Sequence, residues 1–221
     1  MSLSSMRRRV TAGRTGWTQR RGELRRSALL DAASRLLVTH EIDDVSLEDI
    51  ARQARIPVAS AYHFYQDRDA LFAALAARLS DRIAAIMARP YLPAQRKDWR
   101  TLIKTALRRV TRYYSGDPAA RKLLLDGKTP PEIKLAERLR DRSIGALMEG
   151  IFEQHFELPA FAGRTTVFFH TVEIADLLLQ LSVMQHRRIT PAMERHALIA
   201  CSAYLQTFLP EHLPPGRTQQ R

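Results

Sequence analysis

Cysteine is nearly absent from this sequence: Cys201 is the only one in 221 residues, so no intrachain disulfide can form and a reducing compartment is expected. Glycine is missing between Gly22 and Gly116, and proline interrupts that stretch only at Pro57, Pro90 and Pro93. A segment so poor in turn residues is expected to be helical. No strand-like alternation of useful length and no internal repeat is present. The most apolar segment, Val167 to Met184, carries His170, Glu173, Asp176 and Gln180, which argues against a membrane span and for a helix buried in protein. Nucleophile motifs and glycine-rich phosphate loops are also missing. One His with one Glu is too thin a set for a metal. No cofactor, no metal and no enzyme activity are therefore expected, an all-helical enzyme being one alternative. Cys201, at the end of the run Leu198-Ile199-Ala200-Cys201, is expected to pack.

Charge is what the sequence has in excess, with a formal net of +12. Residues 6–26 hold eight arginines against one acid, Glu23, whereas residues 27–72 hold four basic and eight acidic side chains. Residues 1–22, expected to be a basic flexible arm, thus carry the signal for a polyanionic partner. An organelle transit peptide, equally Arg-rich, is the alternative for that arm. Beyond residue 72 the basic residues are spaced as solvated helix faces usually are.

Apolar Leu29, Leu30, Ala33, Leu36 and Leu37 recur at three- and four-residue spacing and predict a helix over 23–39. Ser46 followed three residues later by Asp49 predicts a capping box that opens a short helix, with Glu48 and Asp49 suited to the positive end of its dipole. Leu47, Ile50, Ala51 and Ala54 form its buried face. After Arg55-Ile56-Pro57 a second short helix is expected over Val58 to Phe64, with Pro57 at or just before its first turn. A third runs from near Arg68, with Leu71, Phe72, Leu75, Leu79, Ile83 and Ile86 inward, until Pro90 stops it. Further helices are expected near 95–115, 118–126, 130–156, 162–188 and 191–209.

Two short helices joined by a tight turn and braced by longer ones form the arrangement that lets a second helix enter the major groove. The segment Ser46-Leu47-Glu48-Asp49-Ile50-Ala51 through Val58-Ala59-Ser60-Ala61-Tyr62-His63-Phe64-Tyr65 to Arg68 and Leu71 resembles the DNA-binding domain of the tetracycline-repressor (TetR) family. The likeness covers about residues 25–75. It implies an N-terminal reader, residues 23–72 with its motif at 46–65, joined to a ligand-binding and dimerising body, residues 73–209. The tail, residues 210–221, is rich in Pro, Gln and Arg and is expected to be disordered. The fold class expected is all-α, with about nine helices in a three-helix reader and a larger C-terminal bundle.

Carried over by position, the resemblance makes Val58, Ala59, Ser60 and Tyr62 the recognition surface, with His63, Arg25 and Arg26 as further DNA-binding candidates. Tyr62 and Tyr65 would face sugar and phosphate, Arg68 would take a phosphate, and Ser46 would sit near the backbone. The rings from Tyr62 to Tyr65 can instead pack the small domain, the role expected of Phe64. Two departures from the family are visible: Arg55 stands where the turn usually has glycine, a left-handed position costing about 1–2 kcal/mol, and Pro57-Val58 replaces a polar start to the reading helix. Both shift the weight of DNA affinity to Arg14, Arg20, Arg21, Arg25 and Arg26 in or beside the arm.

For the body, the helices near 162–188 and 191–209 are expected to pair with a second copy, an intrachain bundle being the other possibility. Trp99, Tyr113, Tyr114, His170 and Glu173 are the candidates to line a pocket for an unknown small-molecule inducer. Together these expectations describe a cytoplasmic, nucleoid-associated regulator that dimerises on a palindromic operator in double-stranded DNA and is released by its inducer. A non-specific nucleic-acid-binding or adaptor protein is the competing function.

Overall fold

A computed structural model describes residues 3–126, 129 and 131–216, the side chains of residues 3–19 and 131–141 excepted. Among these residues the chain forms nine α-helices and two short 3-10 turns. The one β-type pairing among them is an isolated bridge between Phe156 and Pro215. The all-α class is therefore found. The chain divides into two compact units, Met1–Leu75 and Ala76–Arg221.

The first unit holds α1 (Leu3–Thr39), a 3-10 turn at Ile42–Asp44, α2 (Leu47–Ala54), α3 (Val58–Phe64) and the start of α4 (Arg68–Met87). Helix α1 starts at Leu3 rather than near residue 23. The segment expected as a flexible arm has no proline, and arginine is a good helix former, so its backbone continues the helix. Arg14 lies outside the residues whose side chains are described. Leu29, Ala33 and Leu37 from the expected stripe are fully buried, as are Ile50 of α2, Ala61 of α3 and Phe72 of α4. Each fully buried Leu of this set contributes about 1.5–3 kcal/mol relative to solvent exposure.

In the second unit α5 (Trp99–Gly116), α6 (Pro118–Leu125), α7 (Pro131–His155), α8 (Arg164–His186) and α9 (Pro191–Gln206) follow the end of α4. Side-chain caps explain where three of them begin. Asp98 accepts from the Thr101 amide at 2.6 Å, Asp117 from Ala120 at 3.0 Å and Thr190 from Met193 at 3.2 Å. Pro118 and Pro191 occupy the first turns after the latter two caps, where a missing amide hydrogen costs nothing. Helix α8 packs along both α7 and α9.

The tail corrects an expectation. Residues 210–216 are not loose: the Trp99 indole Nε1 donates to the Pro210 carbonyl at 3.0 Å, Glu157 N to Pro214 O at 2.9 Å, and Gly216 N to His155 O at 2.9 Å. A proline-rich chain lacks amide hydrogens for a helix, yet its carbonyls accept readily, and the end of α7 and the start of α5 supply the donors. Residues 217–221 lie outside the described residues.

Gly145 on α7 marks the close approach of α8, since a Cβ built there would lie 2.7 Å from the Phe169 Cα, whereas one on Gly150 meets nothing within 4 Å. Gly145→Ala is therefore expected to destabilise the protein by about 1–3 kcal/mol through overpacking. Gly150→Ala on the same helix is expected to be neutral or to stabilise by up to about 1 kcal/mol. Urea unfolding midpoints of the two variants check the contrast.

Candidate nucleic-acid interface and body cavity

Ser46 caps α2 as its spacing implies. Its Oγ accepts from the Asp49 amide at 3.1 Å, and the Asp49 carboxylate accepts in return from the Ser46 amide at 3.3 Å. The Ser46 hydroxyl, donating to Asp49 Oδ2 at 2.5 Å, and then the Ser46 amide hold the Asp49 carboxyl below its usual range. At the other end of α2, Arg55 takes the left-handed conformation with φ 55° and ψ 40°, and its amide bonds back to Arg52 O at 3.1 Å. The helix therefore stops in one step. Pro57 then stands immediately before α3, and its carbonyl accepts from the Ser60 and Ala61 amides.

This turn displays α3 rather than burying it. Val58 is 40% and Tyr62 46% exposed, Ala59 and His63 are exposed, and Ser60 is half-buried, while Ala61 faces inward at 0%. Phe64 is half-buried with the His63 ring at its edge, 5.5 Å between centroids. Arg26 of α1 places its guanidinium 5.5 Å from the centre of the Phe64 ring. Arg20, Arg21, Arg25 and Arg26 are all exposed along α1. Tyr65 is half-buried, and Arg68 donates to Asp69 Oδ1 at 3.1 Å and to the Asp43 carbonyl at 3.4 Å. One partner was not legible in the sequence: the Tyr62 hydroxyl donates to Glu48 Oε1 at 2.6 Å, across fourteen residues. Nothing in the spacing signals that pair, because it exists only once α3 is folded against α2.

The body holds a cavity of about 90 Å³ whose walls come from α4 to α9. Ile83, Met87, Ile103, Leu107, Val110 and Leu179 make it apolar, and Ser80, Tyr114, Thr171, Asp176 and Cys201 supply its polar atoms. Of the five residues expected to line a ligand pocket, only Tyr114 does so. Trp99 is fully buried and spends its indole N–H on the tail. Tyr113 lies beside Asp117 and Arg82, with burial pushing its phenol up to about 12. His170 is exposed and bonds the Tyr204 hydroxyl at 2.9 Å. Glu173 is half-buried on α8 and does not reach the cavity wall. On α5 it is the face of Ile103, Ala106, Leu107 and Val110 that turns toward this cavity. Cys201 packs as expected. Burial pushes its thiol up to about 12, and Sγ donates to Thr171 O.

Where α4 ends, Met87 has two roles. Its side chain lines the cavity, and its carbonyl accepts from the Tyr91 hydroxyl at 2.9 Å and from Arg109 Nη1 at 3.3 Å. The Arg109 guanidinium also takes the Arg89 and Pro90 carbonyls, at 2.7 and 2.8 Å, and lies 3.9 Å from the centre of the Tyr91 ring. A cation on the final carbonyls of a helix satisfies acceptors that have no internal partner.

A capped helix, a left-handed turn and a displayed second helix, together with a helical body, define the class as an all-α helix-turn-helix regulator. The family model for bacterial regulatory proteins of the tetR family matches residues 29–75, and the tetracyclin repressor-like C-terminal domain matches residues 98–205. The chain belongs to the TetR family of transcriptional regulators. No curated protein matches it. Among solved structures, it is similar to a TetR-family transcriptional regulator from Streptomyces coelicolor at 23% identity and TM-score 0.67, covering 84% of this chain and 99% of that one. It also resembles the multidrug binding protein EbrR complexed with imidazole, at 20% identity, TM-score 0.61 and coverage of 81% and 94%. RolR in complex with resorcinol is similar at 15% identity, TM-score 0.61 and coverage of 91% and 93%.

Ser46→Ala is expected to cost about 1 kcal/mol by removing the cap and to return the Asp49 carboxyl toward its usual range. Because the folded carboxyl titrates below its unfolded value, its contribution is complete above the unfolded Asp range and fades as pH falls through the folded one. Urea unfolding as a function of pH, with the Asp49 carboxyl followed by NMR, reads both effects.

Proposed function

We propose that the chain is a sequence-specific repressor that binds a palindromic DNA operator as a homodimer and leaves it when a small molecule occupies the body. The observation that carries this reading is the exposure of Val58, Ala59, Tyr62 and His63 on a helix held out by a capped turn. In this assignment residues 23–72 form the reader and residues 73–209 the body. Val58, Ala59, Ser60, Tyr62 and His63 face the major groove, Ser46, Tyr65 and Arg68 lie toward the backbone, and Arg25 and Arg26 add phosphate contacts from α1. The protein works in the cytoplasm, on the nucleoid.

Pairing through α8 and α9 is supported by the apolar side chains they leave in solvent. Leu177 is 57%, Met184 55% and Ile199 64% exposed. By length and composition α8 is apolar enough to cross a membrane, and a third of its most apolar window is buried within the chain. A second copy would cover that face, and two linked readers are what two half-sites require. The inducer fits the cavity as a small, mostly apolar molecule with one polar group toward Tyr114 or Asp176. It can lower DNA affinity only by binding one body geometry better than another. Met87 offers a route, since its side chain meets the cavity while its carbonyl anchors the end of α4, whose first residues belong to the reader.

The DNA beside the gene supplies the test, by gel shift with a fragment carrying a palindrome and with the same fragment scrambled. Binding to the intact palindrome is expected to be at least about 1,000-fold tighter, and the double variant Arg25→Ala/Arg26→Ala is expected to reduce the slope of log K against log salt by about 2. Equal binding to both fragments would favour the non-specific reading instead.

A further inference from the structure

Helix α3 is poor in groups that can read a base. Among Val58–Phe64 only Ser60, Tyr62 and His63 carry polar side-chain atoms. Val58 and Tyr62 are four residues apart and so share one face of the helix, and both are exposed. If Val58 meets the base edges, the phenol of Tyr62 stands one turn along the same surface.

The chemistry of that phenol is set by its neighbour. A tyrosine hydroxyl has one proton to donate, and here it goes to Glu48 Oε1 at 2.6 Å. What the oxygen offers outward is lone pairs alone. A phosphate oxygen carries no hydrogen, so a phosphate contact would require breaking the Glu48 bond and bringing a carboxylate beside a second anion. Exocyclic amines do carry hydrogens. Adenine N6 and cytosine N4 donate into the major groove, whereas guanine O6 and thymine O4 only accept. The bond also holds the Glu48 carboxyl below its usual range and raises the phenol, so both keep these protonation states at neutral pH.

We propose that Glu48 is a positioning residue that commits the Tyr62 proton and thereby makes Tyr62 a hydrogen-bond acceptor for adenine or cytosine, a specificity-determining contact rather than a phosphate anchor. This departs from the sugar-phosphate role that family resemblance implies for Tyr62. It rests on the assignment of α3 as the DNA-reading helix.

The test enriches random-sequence duplexes on the full-length protein and compares wild type with Tyr62→Phe, Glu48→Ala and Glu48→Gln. Wild type is expected to enrich a palindrome with adenine or cytosine favoured at one position in each half-site. Tyr62→Phe should weaken that preference about 5- to 10-fold, the scale of one good base contact, and leave the rest of the palindrome intact. Glu48→Ala frees the phenol proton and should flatten the same position. Glu48→Gln keeps an amide oxygen able to accept from the phenol, and should keep the preference. These side chains are partly or largely in solvent, and matching circular dichroism spectra verify that the variants fold. Unchanged profiles in Tyr62→Phe and Glu48→Ala would overturn the proposal while the wild-type palindrome stands. Equal loss in Glu48→Gln and Glu48→Ala would assign the effect to charge and overturn it too. A wild type that enriches no palindrome would instead remove the DNA-reading role of α3 and the proposal with it.

Discussion

A seven-residue helix cannot hold its shape alone in water, because nucleation costs more than one or two turns return. Helix α3 depends on the turn before it. The capping box of Ser46 and Asp49 fixes where α2 begins, Arg55 in the left-handed region fixes where it ends, and Pro57 delivers the first acceptor of α3. Arg55 spends about 1–2 kcal/mol on a conformation glycine takes freely, and the buried contacts of Leu47, Ile50 and Ala61 offset it. Local strain is thus tolerated because the small core overdetermines the turn.

That constraint explains the sparse chemistry of the outer face of α3. A short helix braced on one side by Ala61 leaves a narrow outer face, and this chain fills it with Val58, Ala59, Tyr62 and His63. On the proposed reading, such a face would discriminate bases through shape, methyl contact and a few directional bonds. The electrostatic part of any affinity for a polyanion then falls to α1, where Arg20, Arg21, Arg25 and Arg26 lie in solvent. In the body the distribution is reversed. Its cavity is mostly apolar, its polar atoms are few, and Arg109 donates to three carbonyls at and just after the end of α4. Met87 sits at both features, its side chain on the cavity wall and its carbonyl bonded by Tyr91 and Arg109.

Much of this was legible in the sequence for physical reasons. The Ser46 cap, the break at Arg55 and the helix starts near residues 118 and 191 are local events, governed by residues a few positions apart. The stripe of Leu29, Ala33 and Leu37 obeys helical period and is buried as the pattern requires. What was hidden depends on tertiary placement. The Tyr62 to Glu48 bond joins two helices, and Trp99 donates to a carbonyl 111 positions away. The cavity lining follows the inward faces of six helices at once, so aromatic candidates such as Tyr113 and Trp99 were a poor guide to it. The tail was read from its composition, which describes an isolated chain and omits the donors that α5 and α7 provide.

The central claim is that the outer face of α3 is where duplex DNA docks. Titrating the ¹⁵N-labelled protein with the palindromic fragment and following backbone amides by NMR tests it most directly. The account predicts that the largest shifts fall on Val58 to Tyr62 and on the first turn of α2. Saturable DNA binding that leaves those amides unmoved while others shift would contradict it.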